Sequence, residues 1–440
     1  MYLADRSGPS AAAPTGERRA GTDHRPGRRA ASALPSTVLV LGTVSLITDI
    51  SSEMVTAVLP LYLVAELGLS PLGFGVLDGV YNGVGALVRL VGGRLSDRGG
   101  GTGHKAVAAV GYGLSALCKP LLLLVHSLPL IGAVLAVDRT GKGLRTAPRD
   151  AMISLAAEPA VRGRAFGVHR AMDTAGALCG PLVAFVLLRA AAEGYDAVFT
   201  VSFCVAVLGV VVLLLFVPRR VAATSQAAAE QAPDVPRTPV RALLKRPEVR
   251  RLTACAVLLG LTTLSDSFLY LTLQRGLDLP TGWFPLLPLG TAAAFLLLAV
   301  PLGAVADRIG RRRLFLAGHL ALLCAYGLLL VPPAGGAALA GAVLVLHGAF
   351  YAATDGVLAA ATADAVPEDA RGSGLAVVQT GQTAARFVCS LAFGAAWTAW
   401  GAGTAVLTAA LGLALAAAVS AFLLRRAVPA QTPNSPSEPA

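Results

Sequence analysis

Long apolar runs recur along the chain and alternate with short polar segments. An α-helix needs about 20 apolar residues to cross the hydrocarbon core of a bilayer. The sequence contains twelve such stretches, and we predict membrane spans at residues 37–63, 74–95, 106–126, 129–148, 164–189, 196–217, 252–273, 283–305, 313–332, 337–361, 372–395 and 400–424. This pattern indicates an all-α membrane protein with twelve transmembrane helices.

Polar segments divide the predicted spans into two groups of six. Residues 1–35 are rich in Ala, Arg, Gly and Pro, which predicts a disordered basic cytoplasmic tail. A polar, Pro-containing stretch at 218–250 is predicted to be a cytoplasmic linker between six-helix bundles at 36–217 and 251–425. The last residues, 426–440, are predicted to form a second disordered tail.

Composition excludes several other classes of protein. The chain is 55% apolar and 14% charged, whereas an ordinary soluble domain is about 25% charged. A soluble enzyme, a disulfide scaffold and a disordered protein are therefore excluded. The six cysteines lie inside apolar runs without a CxxC pair, so we interpret them as small core residues rather than metal ligands.

The positive charge follows a membrane topology rather than a nucleic-acid surface. The net charge is +11, but outside the spans Lys and Arg lie in alternate gaps, and the opposite gaps hold only Arg189 and Arg275. Cytoplasmic loops carry the excess of Lys and Arg in membrane proteins. We therefore predict a multi-pass protein of the bacterial inner membrane with both termini cytoplasmic, whose partner is the lipid bilayer and not nucleic acid.

The two groups of spans resemble each other in sequence. The segment Gly93-Arg94-Leu95-Ser96-Asp97-Arg98 follows the second span, and Gly303-Ala304-Val305-Ala306-Asp307-Arg308 follows the eighth, about 210 residues later. Arg162-Gly163 and Arg371-Gly372 repeat at nearly the same spacing. A parallel repeat of this size predicts two pseudo-symmetric six-helix halves around a central cavity.

Three motifs carry a resemblance to a known family. The run from Gly303 to Arg312 resembles the G-x-x-x-D-R-x-G-R-[RK] loop of major facilitator transporters, and its N-terminal copy departs from the pattern after Asp97-Arg98. Arg139, with two glycines after it, resembles the arginine motif of the fourth span. The resemblance covers residues 37–424, and the segments 138–150 and 162–173 are similar to a little-characterised bacterial subgroup.

The resemblance implies further roles. The fifth span contains Gly176-x-x-x-Gly180-Pro181, which is similar to a motif of antiporter members and permits close helix packing and a bend. The loop motifs imply a cytoplasmic gate whose charge pairs stabilise the outward-open state and break when that state closes. The gate residues are Asp97, Arg98, Asp307, Arg308 and Arg311. Topology anchoring is the alternative role for these charges.

Ionisable residues inside the spans are candidates for transport because charge in a membrane is costly. Asp49 and Glu53 are four residues apart and share one helix face, so they carry protons, bind a cation or pair with basic residues. Lys142, Arg145 and Arg149 also share a face.

With Arg139 one turn earlier, these bases form a cationic strip that attracts an anion or counters the two acids. The alternative for the strip is anchoring at the inner end of the span.

Other charged residues are distributed over both halves. His169, Arg170 and Asp173 form a cluster in which His169 and Asp173 sense or relay protons, or form a local i, i+4 pair. Asp266 and Asp355 are cavity candidates of the second half.

We also predict that Lys119 extends outward to the membrane surface and that Asp78 lies near the outer surface. Arg386 is either a structural ion-pair partner or a substrate contact.

No nucleotide-binding or hydrolase motif occurs in the sequence. We therefore predict a non-enzymatic, monomeric secondary transporter without a cofactor, which moves a small organic molecule by alternating access. Proton-coupled efflux is the first hypothesis, and proton-coupled uptake of an anionic metabolite is the alternative. A non-transporting membrane sensor or scaffold is the hypothesis of another class.

Overall fold

A computed structural model describes residues 34–98, 100–158, 161–191, 194–218, 245–331, 336–355, 357–364, 366 and 371–425. From Leu34 onward these residues belong to one compact unit. Residues 1–33 of the predicted N-terminal tail, residues 219–244 of the predicted linker and the predicted C-terminal tail lie outside the described residues.

Helices account for the first half of the chain. Their bounds are α1 Ser36–Leu61, continued by one π-helical turn at Tyr62–Glu66, α2 Pro71–Arg98, α3 Gly100–Leu124, α4 Leu128–Ala156, α5 Arg162–Ala190 and α6 Gly194–Phe216. In lipid every backbone N–H and C=O must be satisfied within the segment, and a helix achieves this. The first six predicted spans each coincide with one of these helices.

The second half contains two broken spans. Its helices are α7 Pro247–Gly260, α8 Asp266–Gly276, α9 Leu286–Ile309, α10 Arg311–Leu329, α11 Gly336–Thr354, α12 Val357–Asp364, α13 Arg371–Trp400 and α14 Ala402–Arg425. The predicted seventh span is the pair α7 and α8, and the predicted tenth span is the pair α11 and α12. The sequence analysis did not foresee either interruption.

Polar groups stabilise the interruption between α7 and α8. The Ser265 hydroxyl accepts a hydrogen bond from the Phe268 amide at 3.4 Å and caps α8. The Leu264 amide, which has no helical partner, donates to the Tyr326 hydroxyl at 2.7 Å. Broken helices persist in membranes where protein groups satisfy the freed backbone in this way.

Within the described residues, eight helical segments are long and apolar enough to cross a membrane. Helix α4 is not one of them, since it carries six charged residues between positions 138 and 150. Large apolar side chains such as Leu215, Val300 and Leu411 are exposed, as expected of a lipid-facing surface. Cys179, Cys204 and Cys324 are also exposed, so the interpretation of all six cysteines as core residues is wrong.

The two halves repeat the same packing. In the first half α1 packs on α5 and α6, α3 packs on α4 and α6, and α2 packs on α4. In the second half the corresponding pairs are α7 with α13 and α14, α10 with α11 and α14, and α9 with α11. The halves meet through α2 against α13 and through α5 against α9, which are also equivalent under the repeat.

Close contacts join the halves at the end of the molecule where α1 ends and α2 begins, which we call the closed end. The Leu72 amide donates to the Thr398 hydroxyl at 3.0 Å. A Cβ atom on Gly75 would lie 2.6 Å from the Ser390 carbonyl oxygen, so only glycine permits this approach of α2 to α13. The rings of Phe74 and Phe268 meet edge to face at 4.9 Å and close the centre of this end.

Candidate functional site

The two acids of α1 each pair with a basic residue of α4. Arg145 donates to Asp49 with Nη2 and Oδ1 3.2 Å apart, and Lys142 donates to Glu53 with Nζ and Oε1 3.2 Å apart. The i, i+4 spacing on α1 and the i, i+3 spacing on α4 bring both pairs to the same interface. The predicted acidic face and the predicted cationic strip therefore counter each other.

The two ion pairs differ in exposure. The side chains of Arg145 and Asp49 are 4% and 14% exposed, whereas those of Lys142 and Glu53 are 34% and 26% exposed. The Arg145 guanidinium also lies 4.5 Å from the centroid of the Tyr112 ring. The first pair is thus part of the packed interior, and the second is accessible to solvent or to a ligand.

Arg149 continues this row of contacts by one turn. Its Nη1 lies 3.1 Å from the Ser45 hydroxyl of α1 and 3.4 Å from Oδ1 of Asp173 in α5. Its Nε lies 3.2 Å from Oδ1 of Asp150. Arg149 is buried, and it therefore joins α1, α4 and α5 rather than anchoring the end of α4 in water.

Helix α5 lies against the backbone of α1 beneath the two acids. A Cβ atom on Gly176 would lie 2.5 Å from the Leu46 carbonyl oxygen, and one on Gly180 would lie 2.8 Å from the Glu53 Cβ atom. Pro181 is buried next to this contact. The glycines of the fifth span therefore set the position of α1 and of its two acids.

His169 does not form the predicted i, i+4 pair with Asp173. Neither ring nitrogen of His169 has a hydrogen-bond partner within the described part of the chain, and the residue is buried. Asp173 instead contacts Arg149 and Arg170, the latter at 3.4 Å. Each oxygen of the Asp173 carboxylate thus faces one guanidinium group.

Arg139 does not belong to the strip formed by the other bases of α4. It donates to the carboxylate of its neighbour Asp138 from Nε at 3.0 Å, and its guanidinium lies 3.9 Å from the centroid of the Tyr81 ring. Lys119 reaches the same carboxylate at 3.5 Å and donates to the Ser115 carbonyl at 2.9 Å. The predicted outward extension of Lys119 is wrong, since the residue is 3% exposed.

We expect Asp138→Asn to lower the thermal stability of the protein in detergent. The substitution removes the charge that Lys119 and Arg139 share, and loss of one partner from a buried ion pair costs about 3–5 kcal/mol. Asp150→Asn is the matched control, because its side chain is 40% exposed. Equal thermal midpoints for the two variants would contradict a structural role of Asp138.

Asp266 is the centre of a polar cluster in the second half. As the first residue of α8, it accepts a hydrogen bond from the Tyr351 hydroxyl at 2.6 Å and lies 3.3 Å from Nε2 of His347. Both partners come from α11, and His347 is 1% exposed. The break between α7 and α8 therefore places a carboxylate against the helix that precedes the second break.

A central cavity of about 520 Å³ lies between the halves. Its polar lining residues come from both halves and are Glu53, Thr56, Asp78, Tyr81, Asn82, Thr263, Ser265, Asp266, Ser267, Tyr270, Thr291, Tyr351, Asp355, Thr383, Arg386 and Ser390. Of the sequence-predicted site residues, this cavity brings together Glu53, Asp266 and Asp355. Asp49, Arg139, Lys142, Arg145, His169, Arg170 and Asp173 are not among the residues that line it.

Asp78 has a role that the sequence analysis missed. It is 6% exposed, and its carboxylate accepts a hydrogen bond from the Ser390 hydroxyl of α13, which joins the two halves. The side chain thus points into the protein, and the predicted position near the outer surface of the membrane stays a prediction. Its partner is more than 300 residues away in sequence, and no local pattern indicates such a pair.

The predicted gate residues are only partly described. The loop between α9 and α10 turns at Gly310, whose φ of 91° is a conformation that favours glycine. Arg308 is exposed beside this turn, and Arg311 begins α10. The side chains of Asp97, Arg98 and Asp307 lie outside the described residues.

A polar cavity between two halves with the same helix packing is typical of a membrane transporter of small molecules. The model of the Major Facilitator Superfamily matches residues 41–346 and 286–440, and the chain belongs to this superfamily. The described residues contain no group of His, Cys, Asp and Glu that suits a metal ion.

Two relatives are themselves uncharacterized. An MFS-type transporter of Methanocaldococcus jannaschii is 27% identical over 377 residues, which cover 83% of this chain and 89% of that protein. A protein of Mycobacterium tuberculosis is 35% identical over 158 residues, which cover 36% of this chain and 38% of that protein.

Solved transporters share the fold. The nucleoside transporter NupG superposes with a TM-score of 0.72 at 13% identity, covering 88% of this chain and 99% of that one. A bacterial homologue of the human lysosomal transporter Spinster, in an inward-facing and occupied conformation, has a TM-score of 0.71 at 15% identity. That match covers 89% of this chain and 96% of the homologue.

Proposed function

We propose that the protein is a proton-coupled exporter of a small organic molecule in the bacterial inner membrane. In this proposal both termini are cytoplasmic, the closed end faces outward, and one chain works alone. The observation that carries the proposal is the partly exposed ion pair between Glu53 and Lys142 at the border of the central cavity. Export against a concentration gradient needs an energy source, and the sequence contains no nucleotide-binding motif.

Glu53 is the acid that we assign to the coupling step. Its carboxylate lines the cavity and pairs with Lys142, so protonation removes the ion pair and leaves a cavity wall of different charge. A substrate and a proton that compete for this wall are exchanged across the membrane when the halves rock. Asp49 lies deeper, beside Arg145, and is assigned to packing.

The alternative of anionic-metabolite uptake loses the observation that suggested it. That hypothesis needed the three bases of α4 to attract an anion. Each of them instead pairs with an acid of the protein, namely Glu53, Asp49 or Asp173. The gate pairs implied by the loop motifs remain part of the proposal, with Arg308 and Arg311 at the turn between α9 and α10.

The test begins with untargeted metabolite and drug-sensitivity profiling of a deletion strain. We expect at least one compound to accumulate in the deleted cells and to return to its normal level when the wild-type chain is restored. In everted vesicles the same compound should collapse an imposed pH gradient, because each molecule exported is exchanged for protons.

We expect Glu53→Gln to reduce this proton-linked export to background. Glu66→Gln is the matched control, since Glu66 is exposed at the end of the π-helical turn of the same span. Export by Glu53→Gln at the wild-type rate would overturn the assignment of Glu53. If the pH gradient drove the compound only in the direction that corresponds to entry into the cell, the proposed direction of transport would be overturned.

A further inference from the structure

Three charged residues of the central cavity form no ion pair with a described residue, namely Asp78, Asp355 and Arg386. The Asp78 carboxylate already accepts a hydrogen bond from Ser390, which leaves Asp355 and Arg386. Among the cavity residues that the structure describes, Glu53 pairs with Lys142, and Asp266 is held by Tyr351 and His347. Arg386 is near enough to Asp266 for an electrostatic attraction, but neither Arg386 nor Asp355 has an oppositely charged described group within 4 Å. These two residues therefore offer opposite charges to a molecule inside the cavity.

Arg386 is placed to bind an anionic group. It projects from α13 beside the Tyr351 hydroxyl, and its Nε atom is buried without a hydrogen-bond partner in the described part of the chain. Buried polar groups of proteins are nearly always hydrogen-bonded, so an unsatisfied guanidinium nitrogen at a cavity wall calls for a ligand. The planar guanidinium matches a carboxylate in a two-point hydrogen bond.

Asp355 is placed to bind a cationic group. It is exposed and immediately follows the last residue of α11, at the break before α12. The C-terminal end of a helix carries a partial negative charge from its last carbonyl groups. The carboxylate and the helix end together favour an ammonium group at this point.

The two charges are within reach of one molecule. Arg386 and Asp355 both line the central cavity, and both also line a smaller adjoining cavity of about 110 Å³. The smaller cavity adds neutral hydrogen-bonding groups from Gln379 and Gln382. The volume of the central cavity lies within the range of small-molecule sites.

We infer that the cavity binds a small zwitterion, with its carboxylate on Arg386 and its ammonium group on Asp355. This inference rests on the proposed transport function for its purpose, but it concerns only the chemistry of the bound molecule. It requires neither proton coupling nor a direction of transport.

The test measures binding to the purified full-length protein in detergent, at one pH and without a gradient. The probes are the twenty proteinogenic amino acids, β-alanine, γ-aminobutyrate and glycine betaine, scored by thermal stabilisation. The tightest binder is then compared by calorimetry with two analogues, one lacking the carboxylate and one lacking the ammonium group. We expect each analogue to bind at least tenfold more weakly than the zwitterion.

Variants assign each charge to its residue. Arg386→Gln should lower the affinity for the zwitterion at least tenfold and leave the affinity for the analogue without the carboxylate unchanged. Asp355→Asn should lower the affinity for the zwitterion by a similar factor and leave the affinity for the analogue without the ammonium group unchanged. Arg189→Gln and Asp278→Asn are controls, since both residues are exposed outside the cavity. If Arg386→Gln fails to fold, Asp355→Asn at its exposed position carries the test.

Binding of no zwitterion, equal binding of the analogues, or unchanged affinity in both variants would overturn the inference. Zwitterion binding without proton-linked export would overturn the proposed function and leave this inference standing. Proton-linked export of a compound that lacks the carboxylate or the ammonium group would support the proposed function and overturn this inference.

Discussion

Gly180→Ala is expected to destabilise the protein severely, although it adds one methyl group. The new Cβ atom would lie 2.8 Å from the Glu53 Cβ atom, 2.8 Å from the Ile50 carbonyl oxygen and 2.9 Å from the Met54 amide nitrogen. These atoms belong to the backbone of α1 or are fixed directly to it, so no side-chain rotation relieves the overlap. Helix α5 must move away from α1.

The movement would affect more than one contact. Overpacking by a single group costs about 1–3 kcal/mol, and here it also moves α1, which carries both ion pairs to α4. We therefore expect a loss at the upper end of that range and a fall in the yield of folded protein. The measurement is the thermal midpoint in detergent, followed by size-exclusion chromatography.

The same helix supplies a matched control for Gly180→Ala. Gly167 has no atom within 4 Å of the position of its Cβ, and alanine is favoured over glycine in a helix by about 1 kcal/mol. Gly167→Ala should therefore be neutral or stabilising. If both variants had the same thermal midpoint, close packing of α5 on α1 would not be the reason for glycine at position 180.

The sequence predicted the helices well because lipid permits little else. A run of about 20 apolar residues forms a helix in a bilayer whatever its neighbours are. The same reasoning located Asp49 and Glu53 on one face, since that face depends only on helical spacing. The interruption at 261–265 is stabilised by a partner from another helix, Tyr326, and local spacing contains no signal for such a contact.

The contacts of site residues were harder to predict where a neighbouring residue binds the side chain in place of the expected partner. Arg139 is one turn from Lys142, yet Asp138 beside it and Tyr81 of α2 hold its guanidinium on another side of α4. Asp78 meets its partner Ser390 only where the two halves assemble, and Arg386 lies beside Tyr351 of another helix of its own half. Their common signal in the sequence was a lone charge within an apolar span, which is costly unless it has a partner or a task.

A reversible cross-link at the closed end is expected to stop transport completely. The Leu72 amide and the Thr398 hydroxyl are 3.0 Å apart across the contact of α2 with α13. Alternating access requires these helices to separate so that the cavity opens on the other side of the membrane. A short thiol-specific cross-linker between Leu72→Cys and Thr398→Cys holds the closed end together.

The experiment uses a background in which the six native cysteines are replaced, because three of them are exposed. The linker is joined to each cysteine by a disulfide bond, so a reductant releases it. We expect transport to fall to background after cross-linking and to return after reduction. Each single-cysteine variant, treated with the same reagent, should retain its activity. A misfolded variant would not regain transport on reduction. Recovery would therefore show that the cross-link between the two helices, and not the substitutions, had stopped transport. Undiminished transport in fully cross-linked protein would show that α2 and α13 stay together throughout the cycle, and the rocking of the two halves would then be excluded.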